Sequence, residues 1–363
     1  MSWQLYSRGQ LFSSRFVYER TGEAVFLTPL YVPSFSSWGD RDLAERALAT
    51  LRSLRPEVGG TLRLPVLFSA YDLKRRLRVG RETELSVLAT NLMTELKDSW
   101  LWYLDSGAYE QDCFYDLTWG SEEFVDVFDA TKPPAAVSFD FKPSSPSLQA
   151  FEQSLEKGIA LARERLSGCE LTLLLRFHDE CGLWEMKPDP SEVQRISSLL
   201  SIVASTLLDS GIQIHVLGVA ENELGPGIRA RLRSLAKLRL LMEVAGLEIP
   251  IHVFGASDPQ ALALYALAGG DIFDGVSWSR YYLDTDACCL RDKGLFSWRQ
   301  PHIGESESVS HQSQILGVSN VLRMQEFLSR VGDLIETGRP QSSEQEMWTH
   351  FVEHCCGDIL PER

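Results

Sequence analysis

The 363-residue sequence has no apolar run near the roughly 18 residues that a membrane helix requires. Its first fifteen residues, MSWQLYSRGQLFSSR, lack the apolar stretch of a secretory signal, so a cytoplasmic protein is expected. It also lacks an excess of positive charge: 35 Lys and Arg face 50 Asp and Glu, a formal net charge of −15. That argues against a polybasic nucleic-acid binder, although a local basic strip could still grip phosphates. The seven cysteines are odd in number and include two adjacent pairs, Cys288–Cys289 and Cys355–Cys356, which is not the pattern of a disulfide framework. No repeat of fixed period is visible. With 44% hydrophobic and 23% charged residues, the chain has ordinary globular composition, which leaves bulk disorder, collagen and coiled coil aside.

Eight β-prone apolar runs are present, at 25–35, 61–70, 100–107, 135–141, 171–178, 212–219, 249–255 and 271–278. Several are almost continuously hydrophobic, as strands buried on both faces are. Helical patterns separate them. Residues 147–168 have apolar residues at helical spacing behind Ser147 as a cap, and 190–210 follows Ser191. Residues 258–269 open with Asp258 and Pro259 and close in glycines. A final helix is expected over about 308–336, and 283–307 reads as an irregular insertion. Eight strand–helix alternations predict a single (β/α)8 TIM barrel over 1–337, followed by a tail or helix over 338–363.

Function in such a barrel gathers where the strands end. Asp105 ends the third run, Asp140 the fourth and Asp274 the eighth. One aspartate at a strand end is commonly a loop cap, but three aimed at one mouth suit glycosidic chemistry. One carboxylate attacks an anomeric carbon while another moves a proton to or from the leaving group. For a nucleobase leaving group, a third can grip the Watson–Crick edge: guanine presents two donors there, and an ionised Asp only accepts.

The wording of these strand ends resembles the tRNA-guanine transglycosylase superfamily. LDSGAY (104–109) is similar to its DSGG[FY] motif, SFDF (138–141) to its FDE segment and GVAENE (218–223) to its GLAVGE-type loop. HVFGASDPQALALYALAGGDIFDGVSWSR (252–280) resembles a longer stretch almost element for element. TGEAVFLTPLYVPSFS (21–36) and SHQSQILGVSNVLRMQEFL (310–328) resemble its first strand and terminal helix. The resemblance implies that Asp274 is the nucleophile, Asp105 the second active-site carboxylate and Asp140 the base-recognising residue. It implies that Tyr109 and Phe254 stack on the two faces of the base and that the backbone of Gly218 and Val219 meets it. Arg176 falls where the superfamily has a base-contacting Gln.

The superfamily's structural zinc is held by a C-x-C-x-x-C cluster and a His before an Asn. Here Cys288 and Cys289 are adjacent and Ser319 precedes Asn320, so no zinc and no other cofactor is expected. His350, His354, Cys355 and Cys356 form an alternative cluster that reads first as a solvated helix face. No RNA-binding domain of the archaeal kind is evident, which points to the DNA-modifying branch that exchanges guanine for a 7-deazaguanine such as preQ0. Exchange in tRNA is the alternative. A metal-dependent hydrolase built on His178, His215 and His252 is a second, although His215 and His252 sit early in their strands.

The target base must be flipped out of a duplex or taken from a single strand. Lys74, Arg75, Arg76, Arg78 and Arg81 follow the second strand and are expected to hold phosphates, with Arg280 just beyond Asp274. A second strip carries Arg229, Arg231, Arg233, Lys237 and Arg239. The expected partners are DNA, or tRNA in the alternative, and a free 7-deazaguanine base. The resemblance adds a partner ATPase, and a homo-oligomer is left open.

Overall fold

The computed structural model describes residues 2–9, 11–20, 23–35, 43–54, 64–75, 87–99, 101–145, 147–176, 213–284, 289–292 and 309–359. Three N-terminal strands, β1 (Ser2–Arg8), β2 (Ser14–Arg20) and β3 (Glu23–Leu27), form an antiparallel sheet. The following strands are β4 (Leu30–Phe35), β5 (Val66–Ser69), β6 (Trp102–Asp105), β7 (Ala135–Val137), β8 (Glu170–Leu175), β9 (Ile214–Ala220), β10 (Ile251–Phe254) and β11 (Ile272–Gly275). They pair in parallel around a closed barrel, β11 returning to β4 with Asp274 beside Val32. The expected TIM barrel is the fold.

Period-two alternation sorts the strand residues into two cores. Tyr31, Phe68, Trp102, Leu104, Leu217, Val219, Val253 and Phe273 face outward into the layer shared with the helices. Val32, Leu67, Tyr103, Ala135, Val216 and Ile272 face inward, where they meet Trp3, Phe16, Tyr18 and Phe26 of the N-terminal sheet. That sheet lies at the strands' N-terminal end, and Tyr18 Oη donates to Glu170 Oε1 (2.6 Å) at the start of β8. The run 25–35 is therefore not one strand. Its first part completes the antiparallel sheet, and its second opens the barrel.

The helices begin where the side chains dictate. Ser147 Oγ accepts from the Ala150 N–H at the head of helix Leu148–Arg165, and Asp258 caps helix Pro259–Leu267. The C-terminal helix Val309–Thr337 packs on the barrel. Helix Ser343–Cys356 joins the same body, with Trp348, Val352 and Cys356 buried and Trp348 edge-on to Phe327. The expected helix at 190–210 lies outside the described residues. Within the expected irregular insertion, β12 (Tyr282–Asp284) and β13 (Cys289–Arg291) form a small hairpin.

One buried clamp fixes the base of β10 and β11. Arg239 donates to Gly269 O, Ile249 O and Asp271 Oδ2, and Asp271 Oδ2 also accepts from the Ile251 N–H at 2.7 Å. Gly269 has φ +108°, and a Cβ there would stand 2.8 Å from Arg239 Cβ, so glycine is required on both counts. Three residues up β11 from Asp271 stands Asp274.

Candidate active site at the barrel mouth

Alternation decides which polar side chains reach the mouth. Tyr103 and Ile272 face the barrel interior, so Asp105 and Asp274, two residues further on, face inward at the C-terminal rim. Ser69 stands opposite Asp105 in the β5–β6 register. Asp140 follows β7 and is buried. The structure brings all three aspartates to one mouth, close enough for the charges of Asp274 and Asp140 to act on Asp105.

Each carboxylate has a different setting. Burial pushes the Asp105 carboxyl up to about 7; the charge of Glu110 adds to this, the Gly107 N–H opposes it, and Asp274 and Asp140 raise it further. Glu110 is itself buried and accepts from Ser69 Oγ at 2.8 Å. Asp274 is held differently. Its Oδ1 accepts from the Gly255 N–H (3.0 Å) and pairs with His252 Nε2 (3.2 Å). An ionised carboxylate only accepts, so this pairing puts the imidazole proton on Nε2. His252 Nδ1 is then a buried lone pair without a donor among the described residues.

Asp140 is gripped by Arg176, whose Nη1 donates to its Oδ2, while Arg176 Nε lies 2.7 Å from Glu223 Oε1. Burial raises the Asp140 carboxyl above the ordinary range, with Arg176 pulling the other way. Asp140 Oδ1 is buried and meets no donor among the described residues. An orphaned buried acceptor costs about 1–3 kcal/mol, which a ligand N–H would recover.

The expected stacking residues are placed unequally. Tyr109 is 54% exposed on helix Ala108–Phe114, beside the Arg280 charge. Phe254 instead lies flat on His252, ring centroids 3.9 Å apart, and its Cε2 would stand 2.7 Å from a Cβ at Gly218. Gly218 is thus required by the Phe254 ring. Val219 turns its side chain outward into the helix layer, so only its backbone can face the mouth.

The basic strips serve the fold where they are described. Lys74 pairs with Asp126 at 3.2 Å and Arg75 with Asp116 at 3.0 Å. Arg76, Arg78 and Arg81 lie outside the described residues. In the second strip, Arg231 pairs with Glu221, Arg233 with Asp358 and Arg239 with Asp271, while Arg229 lies over the Phe351 ring.

Several of the expected sites need correction or completion. His252, early in its strand, is fully buried facing the barrel interior between Tyr103 and Phe254, and because β10 is only four residues long it also meets Asp274. His215 accepts from the Leu171 N–H on the neighbouring strand, and His178 lies outside the described residues. His350 and His354 are exposed, whereas Cys355 and Cys356 are buried, so the four do not share a face. Among the described residues no group of three His, Cys, Asp or Glu is arranged to hold a metal ion. Asn320, where the resemblance places a zinc-site neighbour, accepts from the Leu283 N–H and donates to Trp278 O and Tyr281 O, fastening that segment to the C-terminal helix. Glu110 was not singled out in the sequence, since it lies inside a helix, whereas Glu223 ends the GVAENE segment and stands against Arg176.

No family profile matches the chain, and no curated protein is significantly similar to it.

Proposed function

We propose that the protein is a pentosyltransferase that exchanges guanine in a nucleic acid for a 7-deazaguanine base through a covalent intermediate on Asp274. The observation that carries this reading is the gathering of Asp105, Asp140 and Asp274 at one barrel mouth, with an acid–base group near neutrality among them. The resemblance of the strand ends to the transglycosylase superfamily supplies the substrate class.

The chain's own residues support each step. Gly255 and His252 both engage Asp274 Oδ1, which leaves Oδ2 to attack the sugar. The C1′–O bond forms and the C1′–N9 bond breaks; the electron pair stays on the purine, which takes a proton from Asp105. The incoming base returns that proton to Asp105 as its own N9 attacks C1′ and releases Asp274. A carboxyl near 7 serves both halves, because the ideal acid–base group is poised near the working pH. Asp140 Oδ1 offers the acceptor for a purine N–H, and the Arg176 guanidinium beside it offers a donor for the O6 edge. Tyr109 stacks on the flipped base from the rim, and Arg280 beside it meets a phosphate.

DNA is the proposed polymer, on the strength of the resemblance to the DNA-modifying branch. Tritiated guanine incubated with the protein, any native partner and either DNA or tRNA decides between the polymers. Incorporation into DNA is expected; incorporation into tRNA alone transfers the reading to tRNA, and incorporation into neither removes it. The wild type should form an enzyme–nucleic-acid adduct that survives a denaturing gel, and Asp274→Ala should not. An adduct that persists in Asp274→Ala means that another residue is the nucleophile.

A further inference from the structure

Beside the mouth is a cavity of about 320 Å³, bounded by Trp119, Phe139, Phe141, Gln111, Gln153 and Asp140. Asp105, Tyr109, Phe254 and Asp274 do not line it. It is a second space that shares only Asp140 with the proposed exchange site. Its volume suits a base or nucleoside, at the lower end of small-molecule sites.

Its walls are fixed. Trp119 Nε1 donates to Ser106 O at 3.1 Å, which ties the indole to the DSG turn after Asp105. Gln111 Nε2 donates to Trp119 O at 3.2 Å, so the Gln111 amide keeps its oxygen as an acceptor. The charges nearly cancel. Lys142 pairs with Asp112 at 2.5 Å within the lining, and Asp140 pairs with Arg176. A balanced wall does not call for a phosphate. Three aromatic rings favour a planar ligand. Asp140 Oδ1, on a side chain 2% exposed, is a buried acceptor that meets no donor among the described residues.

We propose that this cavity is a holding site for a free, neutral purine-type base, which presents N–H donors to Asp140 and the glutamine amides while it waits to enter or leave the mouth. The proposal deepens the transglycosylase reading and rests on it for its purpose. A covalent sugar–Asp274 ester is exposed to water until a second base arrives. A base stored one side chain away is delivered at high effective concentration. Asp140 stands on both sides of the transfer, with Oδ2 held by Arg176 and Oδ1 left over.

The test is photolabelling of the full chain with 8-azidoguanine, with and without excess 7-deazaguanine, followed by peptide mapping. Label is expected on peptides spanning 111–120 and 139–157, with protection by 7-deazaguanine. Gln153→Trp fills the cavity from an exposed helix position that is not itself one of the residues placed at the mouth. It should cut that labelling about tenfold, as exclusion from a ligand-sized cavity requires, with unchanged melting. Lys157→Trp fills it from the next turn and provides a second test should the first variant misfold. Label confined to the mouth peptides around 105–109, 218–223 and 254 overturns the holding site and leaves the exchange reading standing. Label that is indifferent to both tryptophans, or no label at all, also overturns the holding site. Cavity label without base exchange in either polymer keeps the purine site and sinks the transglycosylase reading.

Discussion

Replacing Asp105 by Asn should make the protein more stable, by an amount that grows as pH rises from about 4 to about 7 and is complete above that. The native carboxyl titrates at about 7, against an ordinary value of 3.8. As pH rises between these values, the unfolded chain loses this proton while the native chain keeps it. The stability contributed by the protonated carboxyl is therefore complete below about pH 4 and gone once pH passes the native value. Three pH units correspond to about 4 kcal/mol, and partial access of water at the mouth reduces this to about 2 kcal/mol. Asn keeps the shape and the acceptor for the Gly107 N–H but cannot ionise. In a chain of this length the gain at pH 8 is about 3 °C in melting temperature, shrinking toward zero near pH 4. Thermal melts of both proteins across that range measure it. A difference that does not change with pH, or a variant less stable at pH 8, would refute the account of the carboxylate cluster. The same substitution should remove base exchange, so stability and activity should move in opposite directions.

Other outcomes follow from the same geometry. Glu110→Gln removes a negative charge that raises Asp105, so the alkaline limb of guanine displacement should shift to lower pH; an unmoved pH–rate profile means that Glu110 does not tune the acid. Arg239→Met strips the buried Asp271 of its cation and leaves Gly269 O and Ile249 O without their donor. It should cost about 3–5 kcal/mol in urea unfolding, and a loss under 1 kcal/mol would show that the clamp is not structural.

Much of the architecture was legible before any coordinates. Buried parallel strands advertise themselves as apolar runs, and each of the eight runs overlaps a barrel strand. Ser147 and Asp258 announced their helices because capping is a local bond between neighbours in sequence. The three aspartates could be found for a similar reason: each stands at or just beyond the end of an apolar run, and strand ends converge in a barrel. The break after Leu27 was not legible, because β3 and β4 are equally β-prone and differ only in which sheet they join. The role of His252 was hidden by the shortness of β10, which carries an apparently early residue up to Asp274.

Strand and helix identity, the barrel and the convergence of Asp105, Asp140 and Asp274 were set by the order of residues, since hydrophobic periodicity and capping act over a few positions. Tertiary structure alone decided who stands beside each carboxylate: Arg176 on Asp140, Glu110 near Asp105, and His252 and Gly255 on Asp274. It also made the cavity behind Asp140 and turned Lys74 and Arg75 into partners of acidic residues. Charge pairing and cavity shape depend on distances between segments far apart in the chain, which no local pattern encodes.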